Sequence, residues 1–460
     1  MHNAARRKTY RIMTKPIIMA ALAVATLWFP AAEPAVSAAV KTSATSSGAQ
    51  SVSVSDTRNG NLSELFKQGG KNTTYIISYA HDLSKTCGAI TVPEGCNLVF
   101  VGNGSIRRGT VTLRGTRLSG NVDMKGCVVK GTAANSVLYA NWVCYADGKT
   151  DDAPSLNSLV ALGKHLVVTE GVYRMATPLY LAQSDFTLEG TGKAVLQNTT
   201  DPNTAKAILS VGPKKSSDKQ ISNVKIAGLT FEMPGTADFN LPAQKDKHAF
   251  EHTHAIEMFG TDNAEISNCT IGPLYGDGIY LGLFDNSTVL HNTNVTIKDN
   301  TIDGKNKDCR NGISIIDGNG VSITANNIVN TSCPTMPGAI DIEPNYTRSV
   351  INNITISDNY INRCRGGVAA ISVVISEKAC PASNITITRN TIEFENNAAT
   401  AKMKKVRDYV GFFFRLKGTM KSSGINVSNN YVANGIRPYR IDDTGNSPAA
   451  IKIKNNIFAN

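Results

Sequence analysis

The chain has 460 residues, a formal net charge of +11 and nine cysteines, an odd number that leaves at least one thiol without a partner. No Cys-x-x-Cys occurs, which removes zinc-ribbon and thioredoxin-type chemistry. The positive balance suits an anionic polymer, uronic-acid polysaccharide as readily as nucleic acid, or a merely solvated surface, and no basic run interleaved with aromatics supports nucleic acid.

Residues 1–38 join a basic head (Arg6, Arg7, Lys8, Arg11, Lys15) to the apolar run "PIIMAALAVATLWF" and then "AVSA". That pattern predicts a secretory signal cleaved after Ala38, and hence a secreted, periplasmic or cell-surface protein. The apolar run is too short for a relaxed membrane span, and no later segment approaches the roughly 20 apolar residues a spanning helix needs. Residues 39–59 are rich in Ser, Ala and Thr and read as a flexible linker. From 60 to 140, short β-prone runs ("TYIISY", "NLVFVGNG", "GTVTLRG") broken by Gly and Asn predict a small all-β module. Cys87 and Cys96 are close enough in sequence to pair, although spacing cannot fix connectivity.

The segment 141–460 opens on "DGKTDDAPSLNSLVALGKHLVVTEGVYRM". Asp151 or Asp152 can cap a short helix that accepts Pro154 in its first turn and places Leu156, Leu159 and Val160 on one face. Beyond Ile221 the sequence repeats. Units such as "NVTIKDNTI" (from 294), "NITISDNYI" (from 353) and "NITITRNTI" (from 384) recur eight times at intervals of 26 to 40 residues. Their apolar residues alternate, the period of a strand with one buried face. The seventh position reads Leu229, Cys269, Asn300, Asn326, Asn359, Asn390, Asn430, Asn456. A column of asparagine predicts a recurring sharp turn with left-handed backbone angles, and its amides can bond to one another along a stack. A second strand series ("HAIEMFG", "DGIYLGL", "NGISIIDG", "GAIDIEPN", "AAISVVIS", "VGFFFRL") lies between the units. At least two strands per coil, stacked coil on coil, make this an all-β chain: a right-handed parallel β-helix with a short N-terminal capping helix. Its last coil would leave a sheet edge exposed, a surface through which oligomers could form.

The element "DGKTDD" before a short helix, then "VVTEGVYRM" and an asparagine-ladder solenoid, resembles the pectin-lyase-like superfamily of secreted β-helix proteins over residues 141–460. The resemblance implies a carbohydrate-polymer ligand and leaves the reaction open. Polygalacturonase-type hydrolases carry Asn-Thr-Asp, Asp-Asp and His-Gly motifs on successive coils. Here the matching face offers Gly276-Asp277-Gly278 and the other motifs are missing, which argues against that subfamily.

Aligning the second strands on Ile256, Ile279, Ile313, Ile340, Ile371 and Phe412 gives an outward column of Glu257, Tyr280, Ser314, Asp341, Ser372 and Phe413. The next outward column contains Glu343, and the turns before the strands hold His254, Asp277, Arg310 and Asn311. Asp341 and Glu343 on one strand face have Cα atoms about 6.6 to 6.8 Å apart. That falls inside the roughly 6.5–9.5 Å window of inverting glycosidases, so the two would act as acid and base, with Arg310, Asp277 and His254 as further catalytic candidates. Glu257, Tyr280 and Ser314 would bind substrate, with Tyr280 as a sugar-stacking ring. Alternatively Asp341, Glu343 and Asn311 would hold Ca²⁺ through hard oxygen ligands. In that case the resemblance to calcium-dependent lyases nominates Arg310, Arg348, Arg363 or Arg365 to meet a uronate. Two histidines in "HAFEHTH", His248 and His252, precede His254, but their spacing matches no established zinc motif. The sequence thus predicts a polysaccharide lyase or glycoside hydrolase acting on an acidic or decorated glycan, with a non-catalytic glycan-binding or surface structural β-helix as the alternative.

Overall fold

A computed structural model describes residues 51–54, 62–198, 206–214, 219–233, 252–285, 289–305, 309–331, 338–364, 369–394, 409–435, 437–445 and 447–459. The signal segment 1–38, His248, Cys333 and Arg365 lie outside the described residues. Ser51–Val54, within the stretch read as linker, pairs in parallel with Thr74–Ile77, in keeping with its alternating Ser and Val.

Three long parallel sheets of 11, 11 and 9 strands run the length of the solenoid. Each coil therefore contributes three strands where the sequence predicted at least two. The extra strand is the tail of the repeat unit itself. In the unit from 353, Ile351–Ser357 is followed by the separate strand Tyr360–Asn362. The break falls on the sixth residue of the unit. Asn268, Asp299, Ala325, Asp358, Arg389, Asn429 and Asn455 all take φ between 53° and 58°. This corrects the expected role of the asparagine column: the left-handed residue is the one before it. The asparagine instead spends its side chain on the corner. Asn359 Nδ2 donates to Ile323 O (2.9 Å), Ser357 O (3.0 Å) and Asn390 Oδ1 (2.9 Å), while its own Oδ1 accepts from the backbone and side-chain nitrogens of Asn326, both at 3.0 Å. The same pattern links Asn300, Asn326, Asn359, Asn390, Asn430 and Asn456 in sequence, so the predicted amide ladder is present.

Inside the coils, stacked isoleucines form the core. Ile256, Ile279, Ile313, Ile340, Ile371 and Phe412 are each fully buried and lie in one register column. One contiguous apolar core extends from Leu62 to Ala450. The predicted helix occupies Ala153–Leu162 with Pro154 in its first turn. Asp152 does not cap it: its carboxylate accepts from the Tyr145 and Ala146 amides, and Asp151 Oδ1 takes the Ala153 N–H instead. A further helix, Leu62–Gly69, lies where the sequence suggested only strands; its buried Leu62 and Phe66 face the core. The eight described cysteines are free thiols, Cys87 and Cys96 included, so no disulfide braces this region. No helix among the described residues is long and apolar enough to cross a membrane.

The ladder makes a direct prediction. Asn359→Ala leaves buried backbone acceptors and the Asn326 N–H without partners, at about 1–3 kcal/mol each. It should lower stability in urea unfolding by at least about 2 kcal/mol, whereas exposed Lys452→Ala should leave the midpoint unchanged. Equal midpoints for the two variants would contradict a stabilising ladder.

Candidate functional site

The nine-stranded sheet carries the candidate residues. Its strands are Leu179–Leu181, Leu209–Val211, Ile256–Phe259, Ile279–Gly282, Ile313–Ile315, Ile340–Ile342, Ile371–Ile375, Val410–Leu416 and Arg437–Asp443. Ladder pairing joins Glu257, Tyr280, Ser314, Asp341, Ser372 and Phe413 in one row across six strands, the register the alignment of isoleucines implies. The turns before the strands are stacked too. Gly278 N donates to Asn311 O and Gly312 N to Gly338 O. A Cβ on Gly278 would sit 2.6 Å from Gly312 O, which explains the Asp-Gly and Asn-Gly pairs at the strand entrances.

On this outer face the row is nevertheless buried. Ser314 is 3%, Asp341 2% and Ser372 0% exposed. His254, Asp277, Asn311 and Arg310 are buried with them, while Glu257, Tyr280 and Glu343 are half-buried. Alternation along a strand assigns a face and says nothing about what lies over that face. Here Phe413 is joined outside the solenoid by Ala369, Val410 and Val374 in a second small apolar cluster.

Two carboxyl groups dominate the electrostatics, and their surroundings push them in opposite directions. Asp341 is raised well above the usual carboxylate range, first by burial and then by the charge of Glu343, to which it is also hydrogen-bonded. The Ser372 hydroxyl donates to Asp341 Oδ1 at 2.6 Å and opposes the shift without cancelling it. Burial and the neighbouring Glu343 charge thus both favour the protonated form of Asp341. At Asp277 burial also acts upward, but the His254 contact and charge, the Arg310 charge and the Asn311 amide outweigh it and leave the group below its ordinary value. His254 Nδ1 stands 3.3 Å from Asp277 Oδ2, Arg310 Nε 3.6 Å from Oδ1, and the Asn311 amide donates to Oδ1 at 2.9 Å. The His254 ring lies flat against Tyr280, centroids 4.3 Å apart and 5° between planes.

Of the calcium candidates, Asp341 and Asn311 are buried and Glu343 is half-buried. Asn311 Oδ1 accepts from Gly338 N at 3.1 Å and its Nδ2 donates to Ser314 Oγ at 3.0 Å, which fixes the orientation of the amide. Among the described residues no three His, Cys, Asp or Glu side chains gather as metal ligands. Of the alternative arginines, Arg363 follows Tyr360–Asn362 on a different sheet, and Arg348 lies in the connection between Ile340–Ile342 and Ile351–Ser357.

Sequence reasoning did not single out Asp317 with His291. Fully buried Asp317 accepts from His291 Nδ1 (2.8 Å) and from the amides of Asn292 and Val350 (both 2.9 Å); burial still raises its pKa. The Asp-Gly pair that ends the strand at Ile315 was its only trace in the sequence.

The opposite shifts have opposite consequences for stability. An acid with a raised folded pKa stabilises below its unfolded value, about 3.9, and loses that contribution as pH rises through the folded value. Asp341→Asn should therefore be more stable than wild type at pH 8 and not at pH 3. A depressed acid contributes above its unfolded value and loses the contribution as pH falls through the folded one. Asp277→Asn should accordingly cost about 3 kcal/mol at pH 7, by removing the carboxylate that faces buried Arg310 and His254, and progressively less as pH falls through the depressed folded value. Urea unfolding at these pH values checks both signs.

No family model matches the chain, and no curated protein matches it. Solved structures do. An ι-carrageenase complexed to ι-carrageenan fragments aligns over 70% of this chain and 91% of its own, at 10% identity and a TM-score of 0.44. A hyperthermoactive exopolygalacturonase from Thermotoga maritima covers 66% of this chain and 75% of its own, at 14% identity and TM-score 0.44. PfbA, a surface adhesin of Streptococcus pneumoniae, covers 70% and 92%, at 15% identity and TM-score 0.39. With three parallel sheets, one strand of each per coil, and an asparagine-laddered corner, this chain has the right-handed parallel β-helix fold.

Proposed function

We propose that the protein is an exported carbohydrate-active enzyme that hydrolyses glycosidic bonds of an acidic or decorated polysaccharide on the outer face of the nine-stranded sheet. The observation that carries the reading is a pair of buried carboxyls on one sheet face whose surroundings push them in opposite directions, Asp341 upward by burial and the Glu343 charge, Asp277 downward by His254, Arg310 and the Asn311 amide. Titratable groups whose environments drive their pKa values apart mark the acid and the base of a site. In this reading Asp341, hydrogen-bonded to Glu343, gives its proton to the departing glycosidic oxygen. The attacking water gives its proton to the Asp277–His254 pair, and its oxygen bonds to the anomeric carbon as the C–O bond breaks. Arg310, which already faces Asp277, provides the cationic background for an acidic sugar. Hydrolysis is favoured over β-elimination because the protonated carboxyl serves a leaving group, whereas a lyase needs a free base at the sugar's acidic carbon.

One observation supports a second reading, that of a glycan-binding β-helix without catalysis. Asp277, Asn311, Ser314, Asp341 and Ser372 form a nearly inaccessible polar layer, continued by the apolar cluster at Phe413. Such a layer also serves as pure scaffold.

The two readings part on a panel of uronic-acid and sulfated polysaccharides incubated with the purified protein. The hydrolase reading expects new reducing ends without ultraviolet-absorbing unsaturated products. It also expects a fall of about 10²–10⁴-fold in kcat for Asp341→Asn and a loss of rate as pH rises through the raised Asp341 pKa. Full activity in the double variant Asp341→Asn, Glu343→Gln would remove the acid assignment. A panel with no cleavage leaves the binding protein.

A further inference from the structure

The same sheet continues for three strands on the N-terminal side of the acidic cluster, and there its outer face changes character. Tyr180 on Leu179–Leu181 pairs in register with Ser210, which pairs with Glu257, which pairs with Tyr280. Beside this row a groove of about 360 Å³, within the size range of small-ligand pockets, is lined by Tyr180, Ser210, Gly212, Lys214 and Phe259 among others. Tyr180 is 40% exposed, and the Lys214 ammonium stands 4.8 Å from its ring centroid.

Three features mark this groove as built. Tyr180 is fixed from behind: its amide donates to Asn157 Oδ1 at 2.8 Å, and Asn157, on the helix Ala153–Leu162, is itself anchored to Pro178 O at 2.9 Å. Bare backbone lines the groove at Gly212, whose φ of 141° and close approach to Phe259 O, 2.2 Å from where a Cβ would sit, admit only glycine. One coil further on, a Cβ on Gly282 would lie 2.2 Å from the Phe259 ring and 2.6 Å from the Tyr280 ring. Glycine there lets the two rings lie together, 6.0 Å between centroids. Aromatic surface therefore runs from the groove toward the turn that holds Asp277.

We propose that this groove is a distal subsite for an anionic pyranose, with Tyr180 and Phe259 as stacking surfaces and Lys214 as the partner of the sugar's carboxylate or sulfate. The proposal rests on the reading of this face as the one that binds the polysaccharide, and not on whether the bound chain is cleaved. Aromatic rings pack against the C–H face of sugars, and a lysine beside the ring supplies the charge that selects acidic units. Glu257, one strand from Ser210, is an acceptor for sugar hydroxyls on the way to the acidic cluster. From Tyr180 to Asp341 the sheet steps across five strand spacings, roughly 24 Å at about 4.8 Å each. A disaccharide cannot touch both places, whereas a chain of roughly five rings, about one per coil spacing, can. The subsite therefore confers preference for long acidic chains.

The test is titration calorimetry of the full-length exported protein with size-graded oligogalacturonates in one arm and sulfated galactan oligosaccharides in the other. Tyr180→Ala and Lys214→Gln should each weaken binding of hexamers about tenfold, the order expected for losing one stacking or cation contact, and leave trimers unaffected. Tyr180→Phe, which keeps the ring, should bind as wild type, and this separates lost stacking from misfolding. The arm that responds to Lys214→Gln identifies carboxylate or sulfate. Unchanged hexamer binding in both variants, no difference between hexamers and trimers in the wild type, or no binding in either arm each overturns the subsite. Cleavage of trimers, read separately as reducing ends, reports on the hydrolase reading whichever way the subsite falls.

Discussion

Each coil is held to the next by parallel backbone pairing in strict register, and everything said of the face follows from that constraint. Because Ile256, Ile279, Ile313, Ile340 and Ile371 must stack on one another inside, the residue after each is forced into a single row outside. A slip of one residue in any coil would send its isoleucines out and its polar residues in. From Asn300 to Asn456 the asparagine ladder fixes the corner that precedes the tail strand, with side-chain amides donating to backbone carbonyls beside the left-handed residue. Residues some ninety positions apart in the chain, such as His254 and Asp341, are thereby brought onto one face with no tertiary fold beyond the stack.

That face is not uniform. Its N-terminal strands present rings and a lysine, its middle strands a buried acid network, and its C-terminal strands the cluster around Phe413. The middle section is where charge is under stress. Burying a carboxyl costs free energy unless it is protonated or paired. Asp341 is pushed toward its protonated form, and Asp277 is met by His254 and Arg310. The two solutions lie close together on one surface, and that contrast, more than the number of acidic residues, makes the region chemically distinctive.

The solenoid was legible in the sequence because its signals are local and repeated: a period of two within units, and a recurrence of the units themselves. Even so, the three-strand coil was hidden, since a single left-handed residue such as Asp358 splits a run that reads as one strand. The row Glu257, Tyr280, Ser314, Asp341 followed from counting residues. Its burial did not, because alternation cannot see what lies over a face. Spacing along a strand also described Asp341 and Glu343 as separated carboxyls, while side-chain length lets them hydrogen-bond to one another. Nor did the sequence suggest that the Asn311 amide would bond at both ends, to Gly338 and Ser314. Tyr180 and Lys214 were illegible as a pair because they are 34 positions apart, Tyr180 on Leu179–Leu181 and Lys214 just beyond Leu209–Val211, strands whose pairing the eightfold repeat does not cover.

One face of the sheet thus drives two buried aspartates in opposite directions, Asp341 toward its protonated form and Asp277 toward its ionised form. Carboxyl-carbon NMR titration of protein labelled at aspartate measures this opposition, with Asp341→Asn and Asp277→Asn assigning the resonances. One signal should titrate well above the ordinary aspartate range and vanish in Asp341→Asn. Another should stay ionised below that range and vanish in Asp277→Asn. Two signals titrating together near pH 4, the ordinary value for an unperturbed aspartate, would contradict the opposition.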